Sequence, residues 1–524
     1  MPRSPTEAKP VRPHGERFIV NVLWSWMGVA ASLFQGLIIT PFIIRRLGEE
    51  HYGIWLIIFS ILEYFWFFDL GLNTAVCVFC ARFIAVQDHE KINQVICTAL
   101  FYFSLIALVI WGISPFLAAN AYRFLPVTPA YRHEFATLIL ITGISWGLCI
   151  MLHLFLSALD GFQRFDLTSR IMVLQVALRS AGYFVALKFG YGLIAMAQVF
   201  VATQILGYTL NFLNFRRAFP ALRLAPSYVR LAMFQDILRY GLKSFVASLS
   251  TLALNQSGTL MVTHYLGAAA AGFYGLPSRL LQQPVDAVSR VANVTRSSAA
   301  ELSVTSKRED TVALGIYSNR YSLTLFMVPA VFLLVYGSPL LRRWVGPVMA
   351  SQSGPLLPIF LLAYSLVLAA QYNSSSLLYG VGHHGGYARG LVVEAVAYVA
   401  ALAFVVPRYG VVGAAWTTAA LMIAVRGIYT PWLVSRALDY SWLSYMAGIY
   451  VRPLLAAMPA AALTWALKSS WLPGRTWPEL IAAGCIGSLV YVAVAFFVCV
   501  APRHRGMFLS RIPVLGPRLI PRRA

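Results

Sequence analysis

Two apolar stretches near the start of the chain, Phe18 to Ile43 and Gly53 to Phe83, constrain it most. Each is longer than the ~20 residues an α-helix needs to cross a ~30 Å hydrocarbon layer. In lipid the backbone must satisfy its own hydrogen bonds, and a long run without alternation does so as a helix. A polar corner joins them, Arg45-Arg46-Leu47-Gly48-Glu49-Glu50-His51-Tyr52-Gly53. The corner returns 219 residues later: Leu47-Gly48 and Gly53-Ile54-Trp55 are matched by Leu266-Gly267 and Gly272-Phe273-Tyr274. The chain therefore reads as two copies of a helical membrane unit.

Composition agrees. A chain of 524 residues would ordinarily hold two or three soluble domains, but 59% of this one is hydrophobic and only 11% charged, with mean hydropathy +0.70. No soluble interior accommodates that much apolar surface. The net charge of +22 points to basic loops on the cytoplasmic side of a membrane. No basic stretch is interleaved with aromatics on a soluble module, so nucleic acid is not an expected partner. Cys77 and Cys80 have the spacing of a redox or zinc pair, but lie within a span with no second pair; the six cysteines read as small apolar residues. The run from Phe18 is too long for a signal-peptide core and reads as a first transmembrane helix.

Hydropathy windows predict about fourteen spans. They lie at roughly 18–43, 53–83, 93–118, 134–158, 168–188 and 192–215, then 240–265, 271–299, 313–337, 356–380, 387–406 and 410–435, with 447–467 and 478–501 last. The predicted organisation is a basic tail (1–17), a six-helix bundle (18–215), a connection (216–239), a second bundle (240–436), an extra helix pair (437–501) and a basic tail (502–524). In the connection, Ser227 is expected to cap a short interfacial helix carrying Val229, Leu231, Phe234, Ile237 and Leu238. Lys and Arg concentrate in the tails, that connection and alternate loops, which predicts both termini on the cytoplasmic side.

The repeat extends beyond the corner. At the same offset Ala81 matches Ala300, Ser157 matches Ser376 and Gly161 matches Gly380; one residue less pairs Tyr191-Gly192 with Tyr409-Gly410. Six spans per copy give both copies the same topology, related by an axis along the membrane normal. Duplicated halves are the architecture of a transporter, because alternating access needs two bundles able to rock about a site between them.

The run Pro41-Phe-Ile-Ile-Arg-Arg-Leu-Gly-Glu-Glu-His-Tyr-Gly-Ile-Trp55, then Asp69-Leu-Gly-Leu72, the loop Gln87-Asp-His-Glu-Lys91 and the central Leu238-Arg-Tyr-Gly241 resemble polysaccharide flippases of the multidrug/oligosaccharidyl-lipid/polysaccharide (MOP) superfamily. The resemblance covers nearly the whole chain, by arrangement more than by any catalytic signature. It implies an all-α polytopic protein of the bacterial cytoplasmic membrane that turns undecaprenyl-diphosphate-linked oligosaccharide from the cytoplasmic to the outer leaflet. It also implies a monomer working beside polysaccharide assembly proteins, and a cavity lined by the first two helices of each half.

Charges within the spans mark candidate sites, since one at the bilayer centre costs about 2.5–3.5 kcal/mol or more. Arg279, Asp286 and Arg290 fall on one face of the eighth span, with Asn293 continuing it and Gln282 and Gln283 nearby. Arg279 is about 12 Å in from the outer end of that span. Guanidinium binds phosphate through paired donors, so this face suits a diphosphate; the alternative is an internal Arg–Asp pair that stitches helices. Glu63, ~15 Å in from the corner, and Asp69 are candidates for carrying H+ or Na+. Asp69, beside Gly71, has the second reading of holding a helix break. Asn255 and Gln256 read as sugar-hydroxyl contacts or helix cross-links, and Lys243 as a substrate contact or a snorkelling surface charge. Arg45 and His264 sit at equivalent outer corners, as mouth cations or plain surface charge. Arg179, Arg320, Glu394 and Arg426 rank lower because they lie off the implied cavity helices. Bends are expected at Pro115, Pro284, Pro329 and Pro431.

Two alternatives remain. A cation-coupled multidrug or metabolite antiporter of the same superfamily would favour an acidic cavity, where this chain puts arginines. A polytopic polymerase, ligase or glycosyltransferase would carry a large outer loop with catalytic or metal-binding acids, and the loops here are short. No enzyme activity and no cofactor are expected. Without a P-loop, energy is expected from an ion or substrate gradient.

Overall fold

The computed structural model describes residues 36, 38–162, 164–305, 308–381, 383, 385–502 and 504–505. Most of the first expected span and both tails lie outside the described residues. Among those described, every regular element is helical. The helices are α1 (38–47), α2 (Glu49–Phe65), α3 (Leu72–Ala85), α4 (His89–Phe124), α5 (Arg132–Gly161), α6 (Phe165–Lys188) and α7 (Gly192–Ala218). They continue as α8 (Leu231–Leu266), α9 (Ala268–Thr305), α10 (Arg308–Trp344), a short α11 (Pro347–Ser353), α12 (Leu356–Gly380), α13 (Gly385–Leu421), α14 (Thr430–Ala437), α15 (Trp442–Ser470) and α16 (Trp477–Val498). Among the described residues, ten stretches are long and apolar enough to cross a membrane. α8 and α9, with 36 and 38 residues, match them in length.

The chain divides into two compact units, Met1–Arg46 with Ile61–Phe245, and Leu47–Ser60 with Val246–Ala524. This differs from the expected bundle boundaries, because residues 47–60 group with the second half. In the second unit a Cβ on Gly53 would lie 1.8 Å from the Ala268 carbonyl oxygen, and one on Gly272 would lie 3.3 Å from that of Glu49. The two copies of the repeated corner thus lie backbone to backbone. Their glycines are what permit the approach.

Each copy also repeats its local geometry. Gly48 and Gly267 turn the chain at φ 90° and 87°, and Gly192 and Gly410 at 74° and 62°. Gly161 and Gly380 each end a helix. At Gly410 the backbone of α13 leaves helical geometry, so that element is two helices meeting at a kink.

Two sequence expectations are corrected. The span 53–83 is broken: α2 ends at Phe65, a 3-10 turn covers Trp66–Asp69, and Leu70 and Gly71 adopt positive φ before α3 starts. The Asp69 carboxylate accepts from the backbone N–H of Asn73 (3.2 Å) and from its side-chain amide (2.6 Å), supplying an acceptor to the first turn of α3. Ser157 donates to Asn73 Oδ1 at 3.0 Å and ties this turn to α5. Gly71 packs against the Gly241 carbonyl of α8, 2.5 Å from where its Cβ would be.

The second correction concerns the connection. No separate helix starts at Ser227, which sits in a 3-10 turn begun by Pro226; residues from Leu231 run unbroken into α8. Buried polar groups on α4 hold the connection instead. Asn93 donates to the Ala221 carbonyl and accepts from the Arg223 N–H, at 3.0 and 2.9 Å, and Thr98 accepts from the Arg230 N–H at 3.1 Å.

Helical assignment continues through Pro115, Pro284 and Pro329. Pro431 opens α14 directly after a π-helical segment, Met422–Tyr429. There the Thr430 hydroxyl donates to the Val425 carbonyl at 3.0 Å, satisfying an acceptor where the regular ladder widens.

Candidate functional site

In the second unit, α9 starts three residues before the expected span, which places Arg279 eleven residues in, about 16 Å along the axis. It is exposed, and its guanidinium stands 6.0 Å from the centroid of the Phe59 ring and within electrostatic reach of the Tyr52 hydroxyl. Among the described residues it makes no ion pair. Asp286, two turns on and also exposed, accepts from Gln282 Nε2 at 2.7 Å. The Tyr364 and Tyr372 hydroxyls of α12 lie within electrostatic reach of Asp286. Of the expected face, Arg279 and Asp286 are exposed along α9, with Gln282 nearby. The side chains of Lys243, Gln283, Arg290 and Asn293 lie outside the described residues. Asn255 is exposed and Gln256 half-buried; as neighbours on α8 they point about 100° apart. His264 is exposed and packs edge-on against Tyr265 at 4.7 Å, three residues before the Gly267 turn.

The same unit holds an ion pair that the sequence ranking placed low. Arg426 Nε donates to both oxygens of Glu394 at 2.8 and 2.9 Å, with Glu394 0% and Arg426 8% exposed. Nearby, Tyr274, Tyr398 and Thr418 close a triangle of hydroxyls at 2.8 to 3.1 Å, all buried. The repeat offset relates the two residues to a contact in the first unit, although the types found there do not announce an ion pair. Glu394 answers Gln175 and Arg426 answers Gly207. In the first unit Gln175 packs against Gly207 so closely that a Cβ there would fall 2.0 Å from its amide nitrogen. One helix contact is thus filled by an amide against a glycine in one copy and by an ion pair in the other. Arg320 donates to the Gly448 carbonyl at 2.7 Å, joining α10 to α15.

In the first unit Arg45 is exposed at the end of α1, three residues before the Gly48 turn. Glu63 is half-buried, fourteen residues from the start of α2, or about 21 Å, deeper than the corner-based count gave. The Tyr208 hydroxyl on α7 lies within electrostatic reach of both Glu63 and Arg179. Arg179 donates to Thr203 Oγ1 at 3.2 Å and Gln204 Oε1 at 2.7 Å, and stands 4.7 Å over the Phe200 ring. Asp69 is engaged by Asn73, as the helix-break reading requires. Glu63 lies in the last turn of α2 and Asp69 ends the 3-10 turn that follows it. No cluster of three metal-ligating side chains occurs among the described residues.

The family model for polysaccharide biosynthesis proteins matches residues 18–300. The chain belongs to the polysaccharide biosynthesis protein family. As a member of it, the chain is 26% identical to the uncharacterized membrane protein EpsK of Bacillus subtilis strain 168, over 94% of this chain and 98% of that one. Its fold is similar to that of the lipid II flippase MurJ in an inward closed conformation: TM-score 0.73, 14% identity, covering 91% and 98% of the two chains. An inward-facing multidrug-resistance MATE transporter of the MOP superfamily follows, with TM-score 0.67 and 14% identity over 80% and 98%. At such identities these likenesses show the fold alone. With ten helical stretches among the described residues long and apolar enough to cross a membrane, the family member is a multi-pass membrane protein.

Proposed function

We propose that this protein flips a lipid-linked oligosaccharide, carried on undecaprenyl diphosphate, from the cytoplasmic to the outer leaflet for the synthesis of an O-antigen or exopolysaccharide. Two bundles alternate access to the substrate, and both termini lie on the cytoplasmic side of a bacterial inner membrane. Family membership supports the pathway. The observation that carries the chemistry is Arg279, a guanidinium deep along a membrane helix, exposed, and without an ion-pair partner among the described residues. A charge so placed is costly unless a ligand or cavity compensates it, and an anionic headgroup does so through paired hydrogen bonds. The Phe59 and Tyr52 rings beside it offer apolar and hydroxyl surface for the rest of the headgroup. The names of similar proteins point the same way: one is a lipid II flippase, another a provisional O-antigen transporter of Shigella flexneri.

The test is reconstitution in vesicles with a fluorescent undecaprenyl-diphosphate oligosaccharide, following loss of label to a membrane-impermeant quencher. Wild type is expected to flip the lipid, Arg279→Ala to lose at least about tenfold in rate, and Arg279→Lys to retain part of it. Transport of cationic dyes with no glycolipid movement would establish the antiporter instead.

A further inference from the structure

The half-buried His153 in the first unit, whose Nδ1 atom is itself buried, plays no part in the reading above. Its ring is held edge-on between Trp66 at 4.7 Å and Tyr208 at 5.6 Å, and Trp66 also meets Trp146 at 5.7 Å. Trp146 and His153 are seven residues apart on α5, so they share a face. Among the described residues His153 Nδ1, Trp146 Nε1 and the Oδ1 of Asn211, one turn beyond Tyr208, are all buried without a hydrogen-bond partner. Orphaned polar atoms are uncommon in native interiors, and each calls for an explanation.

We propose that His153 is a proton-binding site built into the first unit, and that proton uptake there favours a conformation in which the Trp66–His153–Tyr208 contact opens to water. With the hydrogen on Nε2, Nδ1 offers a lone pair; a proton from water adds to it and later leaves from it, and no other bond changes. The dry conformation holds the neutral ring, since an imidazolium there would bury a charge and an unpaired N–H. A hydrated conformation binds the proton better. That difference in affinity is what lets protonation shift the population. Tyr208 of α7 is the titratable group in contact with the ring; Glu63 on α2, Arg179 on α6 and Cys149 on α5 lie within electrostatic reach of that tyrosine, and Asp160 lies two turns further along α5. Tyr102 of α4 engages the Phe68 carbonyl beside Asp69, and Cys77 of α3 faces Asp160. Coupling of this site to substrate movement rests on the flippase reading; proton binding itself does not.

The first experiment therefore uses no substrate. Full-length protein in lipid nanodiscs is titrated from roughly pH 4 to 8 while tryptophan emission is followed, because an imidazolium quenches an indole in contact with it. Wild type is expected to show a reversible quenching step that both His153→Gln and Trp66→Phe lose. Absence of the step in wild type, or its persistence in His153→Gln, overturns the proposal. If His153→Gln does not fold, Trp66→Phe, which keeps the imidazole and removes the reporter, decides in the same way. In vesicles, a pH gradient is expected to change the flipping rate of wild type and not of His153→Gln. A fluorescence step without gradient-dependent flipping would leave the proton site standing and overturn its coupling to transport.

Discussion

Glu394 and Arg426 show what a buried charge demands in this protein. With both oxygens of the carboxylate taken by one guanidinium nitrogen and almost no exposure, each group depends on the other. Glu394→Gln leaves the guanidinium buried without its counter-charge and should cost about 3–5 kcal/mol, whereas Glu394→Leu with Arg426→Met should recover most of that loss. Thermal unfolding in detergent measures both; a single variant within about 0.5 kcal/mol of wild type would show that the pair is dispensable. Arg179 meets the same constraint differently, through the neutral acceptors Thr203 and Gln204. Sequence position alone assigned all these charges to spans. Which were neutralised by a partner was not legible, because the partners are 24 to 32 residues away on other helices.

At the scale of elements, breaks matter as much as helices. Asp69 is expected to act by its acceptor oxygen, so Asp69→Asn should retain stability and transport, while Asp69→Ala should lose about 1 kcal/mol. Loss of transport in Asp69→Asn with stability intact would return Asp69 to the role of ion carrier. The start of α4 is held by Asp88, which accepts from the Lys91 backbone N–H at 3.0 Å and pairs with its ammonium at 3.3 Å. That backbone bond, aided by Lys91 and opposed by slight desolvation, keeps the Asp88 carboxyl below the ordinary carboxylate range. Its folded-state pKa is lowered, so its contribution is complete above the unfolded value of about 3.9 and disappears as pH falls through the lower folded value. Amide exchange in the first turn of α4 should therefore rise in acid, and Asp88→Ala should show the faster exchange already at neutral pH. An unchanged exchange rate in that variant would remove the cap from the account. The Asp88 cap is readable from its place before an apolar run, whereas the break at Leu70 and Gly71 showed in the sequence only as the second reading of Asp69.

The whole molecule is organised by its duplication. Matching glycines take matching backbone angles in the two copies, and in the second unit the two repeated corners pack against each other through Gly53 and Gly272. Replacing a helical glycine by alanine ordinarily gains about 0.5–1 kcal/mol. Gly53→Ala should do the reverse, since its methyl would sit 1.8 Å from the Ala268 oxygen. A raised unfolding temperature for Gly53→Ala would mean that the crossing is looser than described.

The sequence by itself determined the solvent, the helical class, most of the long apolar helices and the repeat. All four follow from the length and period of apolar runs and from glycines that recur at one offset, and these are local quantities. It also carried the family resemblance and put Arg279 on a polar face of α9. Only the tertiary structure decided that residues 47–60 belong with the second half, that α4 side chains hold the central connection, and that Glu394 meets Arg426. It also decided that His153 lies between two rings with a nitrogen left over. Each of these is a contact between groups remote in the chain, and close packing in three dimensions sets which remote groups meet.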